Sequence, residues 1–399
     1  VVTEGAWLAL GVAIALVVHA LSIRLIASRW RFLPAASFLV LLYVSYSPGN
    51  HKWPALLCGI AALVVLVDSA RPRASFGAGL LLGASALFTL DFGAGLAAGA
   101  MAAVLAQPAD GRVRRAVSLA AGCLAAVAPV VVAFALLAGA RTIAYDWVVF
   151  PLTLYRDKNA LFIGLASHHG PRTAAQVVLA VAGTASAVAL ARRGGGSERI
   201  VAWAGLGLLI AAAHRPWTPL LLAVRCAPLL APAVLVLERA LAGGRWRRPA
   251  AAALAVLVIG TGWGALSAVA RRQWLDAMVR QAPRAGAIWL PAPMPELGWI
   301  EERVPEGGPV FVLPHKGGHH FLTRTRAVTS VPYLLEGMSA PVQIRAVLAD
   351  VEAARPPYGV WGNRHDLPQA YAALLRLYEP EAEADNGSVL LRRRSPATP

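Results

Sequence analysis

The sequence predicts a polytopic α-helical membrane protein with a small α/β domain at its C-terminus, outside the membrane. Three observations predict it. The composition is 57% hydrophobic and only 15% charged, with a positive mean hydropathy, far from the balance of a soluble globular chain. Nine or ten apolar segments run through the first 270 residues, and the links between them alternate between arginine-rich and arginine-poor. After Arg272 the long apolar runs give way to mixed globular sequence.

The apolar segments lie at about 5–23, 32–46, 54–67, 76–90, 92–106, 116–138, 174–190, 200–213, 219–237 and 250–270. Several are shorter than the roughly 20 residues of a spanning helix, so tilt, re-entry or polar flanks must complete them. The positive-inside rule places the links with Arg24, Arg29 and Arg31, with Arg71 and Arg73, and with Arg112, Arg114 and Arg115 in the cytoplasm. Those with Arg192, Arg193 and Arg199, and with Arg239, Arg245, Arg247 and Arg248, join them. The outward links are then 47–53, the turn at Asp91, the long loop 141–173 and the turn 214–217, together with everything after about Arg271. Counting back, Val1 also lies outside. A chain that starts outside and without Met is expected to have lost an upstream helix and the first outer loop.

The net charge of +16 is largely this orientation signal, so nucleic-acid binding is not the reading. Cys58, Cys123 and Cys226 all fall in apolar segments and form no disulfide framework. The Ala, Arg and Gly bias is that of a GC-rich bacterial genome.

The membrane domain is expected at 1–271 and the extracytoplasmic domain at 272–399. In the latter the pattern predicts a helix at 296–304, a strand at 309–313, a Gly-rich turn at Lys316-Gly317-Gly318 and a helix through Ile344, Val347, Leu348 and Val351. A strand at 358–361, a helix at 367–378 and a last strand at 388–391 follow. Such alternation points to a layered α/β structure with a parallel sheet. His315, His319 and His320 surround the Gly-Gly turn, but no Cys or carboxylate nearby completes a metal set, so a flexible outer turn is the reading. Asn386-Gly387-Ser388 matches a glycosylation sequon and reads as the turn into the last strand.

Candidate functional residues are the charges on the outward side. Gly79 and Gly83 form a small-xxx-small pair for close helix packing, and that helix leads to Asp91, where two apolar runs meet at one acidic residue. An ionisable group at such depth costs several kcal/mol unless paired or wet, which makes Asp91 a site candidate beside the alternative of a solvated turn. His51, Lys52, Arg156, Lys158, His214 and Arg215 can converge on a phosphate; the alternative for each is a charge snorkelling at headgroup level. Arg225 lies inside an apolar segment, where a guanidinium must pair with an acid or a phosphate. The loop 141–173 carries Tyr145, Asp146, Trp147, Tyr155, Arg156, Asp157 and Lys158, a mix suited to a lipid phosphate and a sugar, or to interface anchoring.

The run from Arg71 to Gly93, with Gly77-Ala-Gly-Leu-Leu-Leu-Gly-Ala-Ser-Ala-Leu-Phe-Thr89 followed by an acidic turn, resembles bacterial glycosyltransferases of the GT-C superfamily, in the branch related to protein mannosyltransferases. His51-Lys52-Trp53, the stretch Trp147 to Tyr155 with Phe150-Pro151, and Val310-Phe311-Val312-Leu313-Pro314 followed by Phe321-Leu322-Thr323-Arg324 are similar to that family in order and spacing. The resemblance is diffuse and covers most of the chain. It implies a multi-pass enzyme of the bacterial inner membrane that moves a sugar from a polyprenyl-phosphate carrier to a glycan, lipid or protein acceptor on the outer face. It places the main catalytic carboxylate in the first outer loop, the part expected to be missing. Two departures stand out. Arg215 is followed by Trp217 and Leu220 where many relatives have Asp and His, and Asp91 stands near a position where many have Lys. No cofactor is assigned, and a divalent metal assisting at the phosphate stays open. An envelope polysaccharide polymerase or ligase, a polytopic transporter and a membrane scaffold are the competing readings; no internal repeat favours a transporter.

Overall fold

A computed structural model describes residues 2–43, 51–108, 110–144, 171–211, 224–243, 246–270, 279–290, 292–314, 317–330, 334 and 341–395. The chain divides into two compact units, Val1–Ala270 and Arg271–Pro399.

The first unit is helical. In order it contains α1 (Val2–Leu25), a short 3-10 turn (Arg29–Phe32), α2 (Leu33–Ser37), a π-helical turn (Phe38–Tyr43), α3 (Lys52–Asp68), α4 (Pro72–Phe88) and α5 (Leu90–Leu105). There follow α6 (Arg112–Ala138), α7 (Ala140–Ala144), α8 (Pro171–Arg193), α9 (Gly196–Ala211), α10 (Leu230–Ala242) and α11 (Arg247–Ala270). The described part of the segment expected as one span at 32–46, up to Tyr43, stays helical but changes its winding along its length, with Pro34 in the first turn of α2. Among the described residues one helix, Arg112–Leu137, is long and apolar enough by itself to cross a membrane; Ala9–Leu25 and Leu90–Leu105 are shorter apolar helices. α3, α4, α5 and α9 have 16 or 17 residues each.

Their packing explains how short helices make one body. The main core joins Ile14 and Val18 of α1, Leu56 and Leu63 of α3, Leu82 of α4, Leu96 of α5 and Leu208 of α9. Helix pairs approach at glycine. A Cβ on Gly83 would stand 2.7 Å from both the Cys123 carbonyl oxygen and the Ala126 Cβ of α6, and one on Gly95 would stand 2.8 Å from the Gly207 carbonyl oxygen and Leu208 Cα of α9. Without a side chain there, backbones come close enough for many weak dispersion contacts. Side chains pointing away from these seams are bare, with Leu136 and Leu137 of α6 exposed by 82% and 85%.

The arginine-rich turns gather at one end of this unit. Arg24 at the end of α1 pairs with Asp68 at the end of α3. Arg115, in the first turn of α6, donates to Gln107 Oε1 after α5 (2.9 Å), to the Leu66 and Ser69 carbonyls that end α3 (3.5 and 3.4 Å), and to Ser75 Oγ in the first turn of α4 (3.5 Å). Gln107 reaches the carbonyl of Gly196, the first residue of α9 (3.5 Å), and Glu198 of α9 accepts from Arg239 of α10 (2.9 Å). A guanidinium over unsatisfied carbonyls at a helix C-terminus is favourable, since it meets the negative end of the dipole.

The second unit has a two-stranded antiparallel ribbon, β1 (Val279–Gln281) with β2 (Ile288–Leu290), and then α12 (Pro295–Arg303), β3 (Pro309–Leu313), α13 (Gly318–Thr323) and β4 (Arg326–Ala327). It continues with α14 (Pro341–Ala354), β5 (Tyr358–Trp361), α15 (Pro368–Leu374), β6 (Tyr378–Glu383) and β7 (Val389–Arg393). The five-stranded sheet has the order β4-β3-β5-β7-β6. β3 alternates its faces as a strand must. Phe311 and Leu313 pack with Val347 and Val351 of α14 and Leu374 of α15, while Val310 and Val312 pack with Ile300 of α12. Helices therefore cover both faces.

The wholly parallel sheet expected from the sequence is corrected to a mixed one. β3 pairs parallel with β4 and β5, whereas β7 runs antiparallel to both β5 and β6. The cause is local: Gly387, at φ +79°, lets a tight turn return β6 into β7, and a hairpin can only be antiparallel. The helix expected at 367–378 ends at Leu374, and Tyr378 begins β6. β6 escapes pattern reading because it is an edge strand with Pro380 at a bulge, carrying Glu379 and Glu381 rather than apolar residues. Those carboxylates accept from Arg392 (2.6 Å) and Arg303 (2.7 Å). The flexible turn expected around Gly317-Gly318 is in its described part the start of α13.

Candidate functional site

The end of the helical unit opposite the arginines is built from the breaks between helices. α4 stops at Phe88, Thr89 turns extended (φ −153°, ψ 102°), and α5 starts at Leu90. The Thr89 N–H still donates to Ser85 O (2.9 Å), and its carbonyl accepts from the Phe92 and Gly93 N–H groups (3.1 Å each). One extended residue thus reverses the chain with few backbone groups lost. Gly93 is required here, because a Cβ would run into the Ala86 backbone. Ser85 Oγ donates to the Ala55 carbonyl of α3 (2.8 Å), which fixes α3 against this hairpin.

Asp91 falls in the first turn of α5 and is half-buried. A carboxylate there meets the positive end of the helix dipole, a favourable placement with or without a ligand. His51 precedes α3 and is exposed; Lys52, its first residue, is half-buried. Trp53 next to them is fully buried, edge-on to Phe38 with ring centroids 5.9 Å apart. Since α3 and α5 both start at this end, His51, Lys52 and Asp91 share it.

Arg225 is 2% exposed. It lies between Val224 and Cys226, both part of the main core, just before the 3-10 turn Ala227–Leu229 that leads into α10. α10 runs from there to Arg239 at the arginine end, so Arg225 stands on the Asp91 side of the unit. It faces the protein interior rather than lipid. Tyr145, Asp146, Arg156, His214 and Arg215, with Lys158 and the rest of 145–170, lie outside the described residues, while the two ends of the loop expected at 141–173 are helical, in α7 and α8. α6 and α9 both finish at the Asp91 end, and α8 begins there.

Sequence reasoning missed a polar cluster in the second unit. Glu296, completely buried in the first turn of α12, lies with Oε1 3.4 Å from His319 Nε2 on α13, and its Oε2 accepts from Asn386 Nδ2 (3.2 Å) in the β6–β7 turn. His319 is itself buried, and burial, with His319 beside it, holds the His320 imidazole below its ordinary value. The residue types were visible, but nothing in their spacing brings positions 296, 319 and 386 together. His315 lies outside the described residues, and among those described no group of three His, Cys, Asp or Glu side chains gathers as a metal site.

No family model and no curated protein matches the chain. The architecture does find a counterpart among solved structures: it aligns with the crystal structure of an oligosaccharyltransferase from Archaeoglobus fulgidus, solved with zinc and sulfate, at a TM-score of 0.53. The two share a fold. The alignment covers 96% of this chain at 15% identity, so both the helical unit and the C-terminal sheet take part. The chain spans 60% of the length of the oligosaccharyltransferase chain. At that identity the likeness speaks for the fold and for no individual residue.

Proposed function

We propose that the chain is a membrane glycosyltransferase of the GT-C type, which moves a sugar from a polyprenyl-phosphate carrier to an envelope acceptor on the outer face of a bacterial inner membrane. The observation that carries this reading is the fold shared with an oligosaccharyltransferase over nearly the whole chain. The two-ended helical unit supports it further. Arginine collects at one end, as the positive-inside rule requires of a cytoplasmic face, and Asp91, His51 and Lys52 collect at the other. On this reading the C-terminal unit is extracytoplasmic, and the sequence resemblance points to the branch related to protein mannosyltransferases.

The chemistry divides between a base and an electropositive cradle. Transfer needs a group that takes the proton from the acceptor hydroxyl while the phosphate leaves with the electrons of the broken glycosidic bond. Asp91 is the candidate carboxylate on the outer end, and the family resemblance points to a second one in the first outer loop. Fixed positive charge where water is scarce stabilises the leaving phosphate most, which favours Arg225, with His51, Lys52, Tyr145, Asp146, Arg156, His214 and Arg215 as the remaining candidates around donor and acceptor.

The test is transfer of labelled sugar from a polyprenyl-phosphate donor by membranes containing the protein. Arg225→Met should abolish transfer while the protein stays monodisperse in detergent. Loss of one hydrogen bond aimed at the transition-state charge costs roughly 100- to 1,000-fold, so an unchanged rate would remove Arg225 from the site. No transfer by unaltered protein with any polyprenyl-phosphate sugar, alongside import of a labelled solute into vesicles, would favour the transporter reading instead.

A further inference from the structure

The arginine end of the helical unit carries more positive charge than the protein itself answers. The carboxylates on its turns are Asp68, Asp110, Glu198 and Glu238, and among the described residues the ion pairs there are Arg24 with Asp68 and Arg239 with Glu198. Arg115 is 7% exposed and is held by Gln107, Ser75 and backbone carbonyls, none of them charged. Among the described residues, most of the charge on these turns thus faces outward without a protein counter-ion.

Its setting narrows the partner. Large apolar side chains are exposed within one helical turn of the arginines: Ile23 beside Arg24, Phe32 beside Arg31, Phe76 after Arg73, and Val113 and Val117 around Arg114. Arg29 lies over the Trp30 ring, 5.2 Å from its centroid. A nucleic acid or an acidic protein would answer the charge but leave this apolar rim in water. A phospholipid answers both, with phosphate at guanidinium height and acyl chain against the rim.

We propose that this end of the helical unit is a binding surface for anionic phospholipid, which supplies the counter-charge that the turns lack. The inference rests on the reading of the helical unit as membrane-embedded. Arginine near an anionic surface is worth about 1 kcal/mol, or roughly fivefold in lipid preference. The surface would therefore be enriched in acidic lipid well above the bulk bilayer.

The full chain is reconstituted in phosphatidylcholine vesicles, and its association with spin-labelled phosphatidylglycerol is compared with that of spin-labelled phosphatidylcholine. The expected result is a preference for phosphatidylglycerol of about fivefold that collapses at about 1 M salt, where the Debye length is near 3 Å. The quadruple change R29Q, R31Q, R71Q and R73Q should lower it, and the salt arm does not depend on that variant folding. Equal association of both lipids by inserted protein would overturn the inference alone. Failure of the protein to float with vesicles would overturn the membrane reading beneath it. Displacement of phosphatidylglycerol by an equal concentration of a DNA duplex or of inorganic phosphate would reassign the surface to polyanions in general.

Discussion

Two glycines on one helix should respond to alanine in opposite directions. A Cβ at Gly83 would lie 2.7 Å from the Cys123 carbonyl oxygen and 2.7 Å from the Ala126 Cβ, whereas a Cβ at Gly77 meets nothing within 4 Å. The first contact is roughly 1 Å short of van der Waals separation, and both obstructing groups belong to the rigid frame of α6. They cannot rotate away, so α4 and α6 must part along their seam. Overpacking of this kind costs about 1–3 kcal/mol, against a gain of about 1 kcal/mol from replacing glycine by alanine in a helix. Gly83→Ala is therefore expected to lose up to about 2 kcal/mol net, and Gly77→Ala to gain up to about 1 kcal/mol. For a body of this size 1 kcal/mol moves the midpoint by about 2–4 °C, so Gly83→Ala should unfold several degrees below Gly77→Ala. Thermal unfolding in detergent, followed by loss of the monodisperse peak, reads that difference. A Gly77→Ala variant as damaged as Gly83→Ala, or a Gly83→Ala variant stabilised as much as Gly77→Ala, would refute the close-packed seam.

Other consequences are equally direct. Replacing Glu296 by Ala leaves the buried His319 without its partner, a cost of about 1–3 kcal/mol, and takes away the acceptor of the exposed Asn386; hydrogen exchange on the full chain should then quicken in α12, α13 and the β6–β7 turn, and unchanged protection would show the cluster to be dispensable. Asp350 Oδ2 accepts from the Ser330 N–H (2.8 Å) and hydroxyl (2.6 Å), which holds its carboxyl below the ordinary value. A depressed folded-state pKa contributes stability above the unfolded value, near pH 4, that is lost as pH falls through the folded one. Protection of the Ser330 amide should therefore weaken below about pH 4 in the parent, and Asp350→Asn should lose that dependence. Cysteine fits at both Gly195 and Gly318, since a Cβ at either meets nothing within 4 Å. With Cys58, Cys123 and Cys226 replaced, an impermeant thiol reagent applied from outside should label position 318 and spare 195, and the reverse would sink the orientation.

The legible parts were those set by short-range pattern. Hydrophobic runs and their arginine flanks marked the helices and anticipated which turns would share an end, because a chain crossing an apolar layer must alternate sides. The contacts from Arg115 to α3, α4 and the end of α5 show those turns together. The strands at 309–313 and 358–361 were readable for a similar reason, as apolar runs bounded by Pro and Gly.

What pattern could not carry is anything decided by partners distant in sequence. The direction of β7 depends on the β6 hairpin, and β6 holds its place through arginines on β7 and α12 rather than through its own apolarity. Glu296, His319 and Asn386 look like three unrelated surface residues until folding buries the first two and brings Asn386 to Glu296. The candidate site divides along the same line. That Asp91 sits where two helices meet is local, since it follows from apolar runs broken at one acidic residue. That Arg225 is enclosed rather than exposed depends on helices distant in sequence packing around the segment that carries it, as Leu229 just after it packs on Gly183 of α8 and Gly205 of α9, and an apolar run looks the same from sequence whichever way its one charge points.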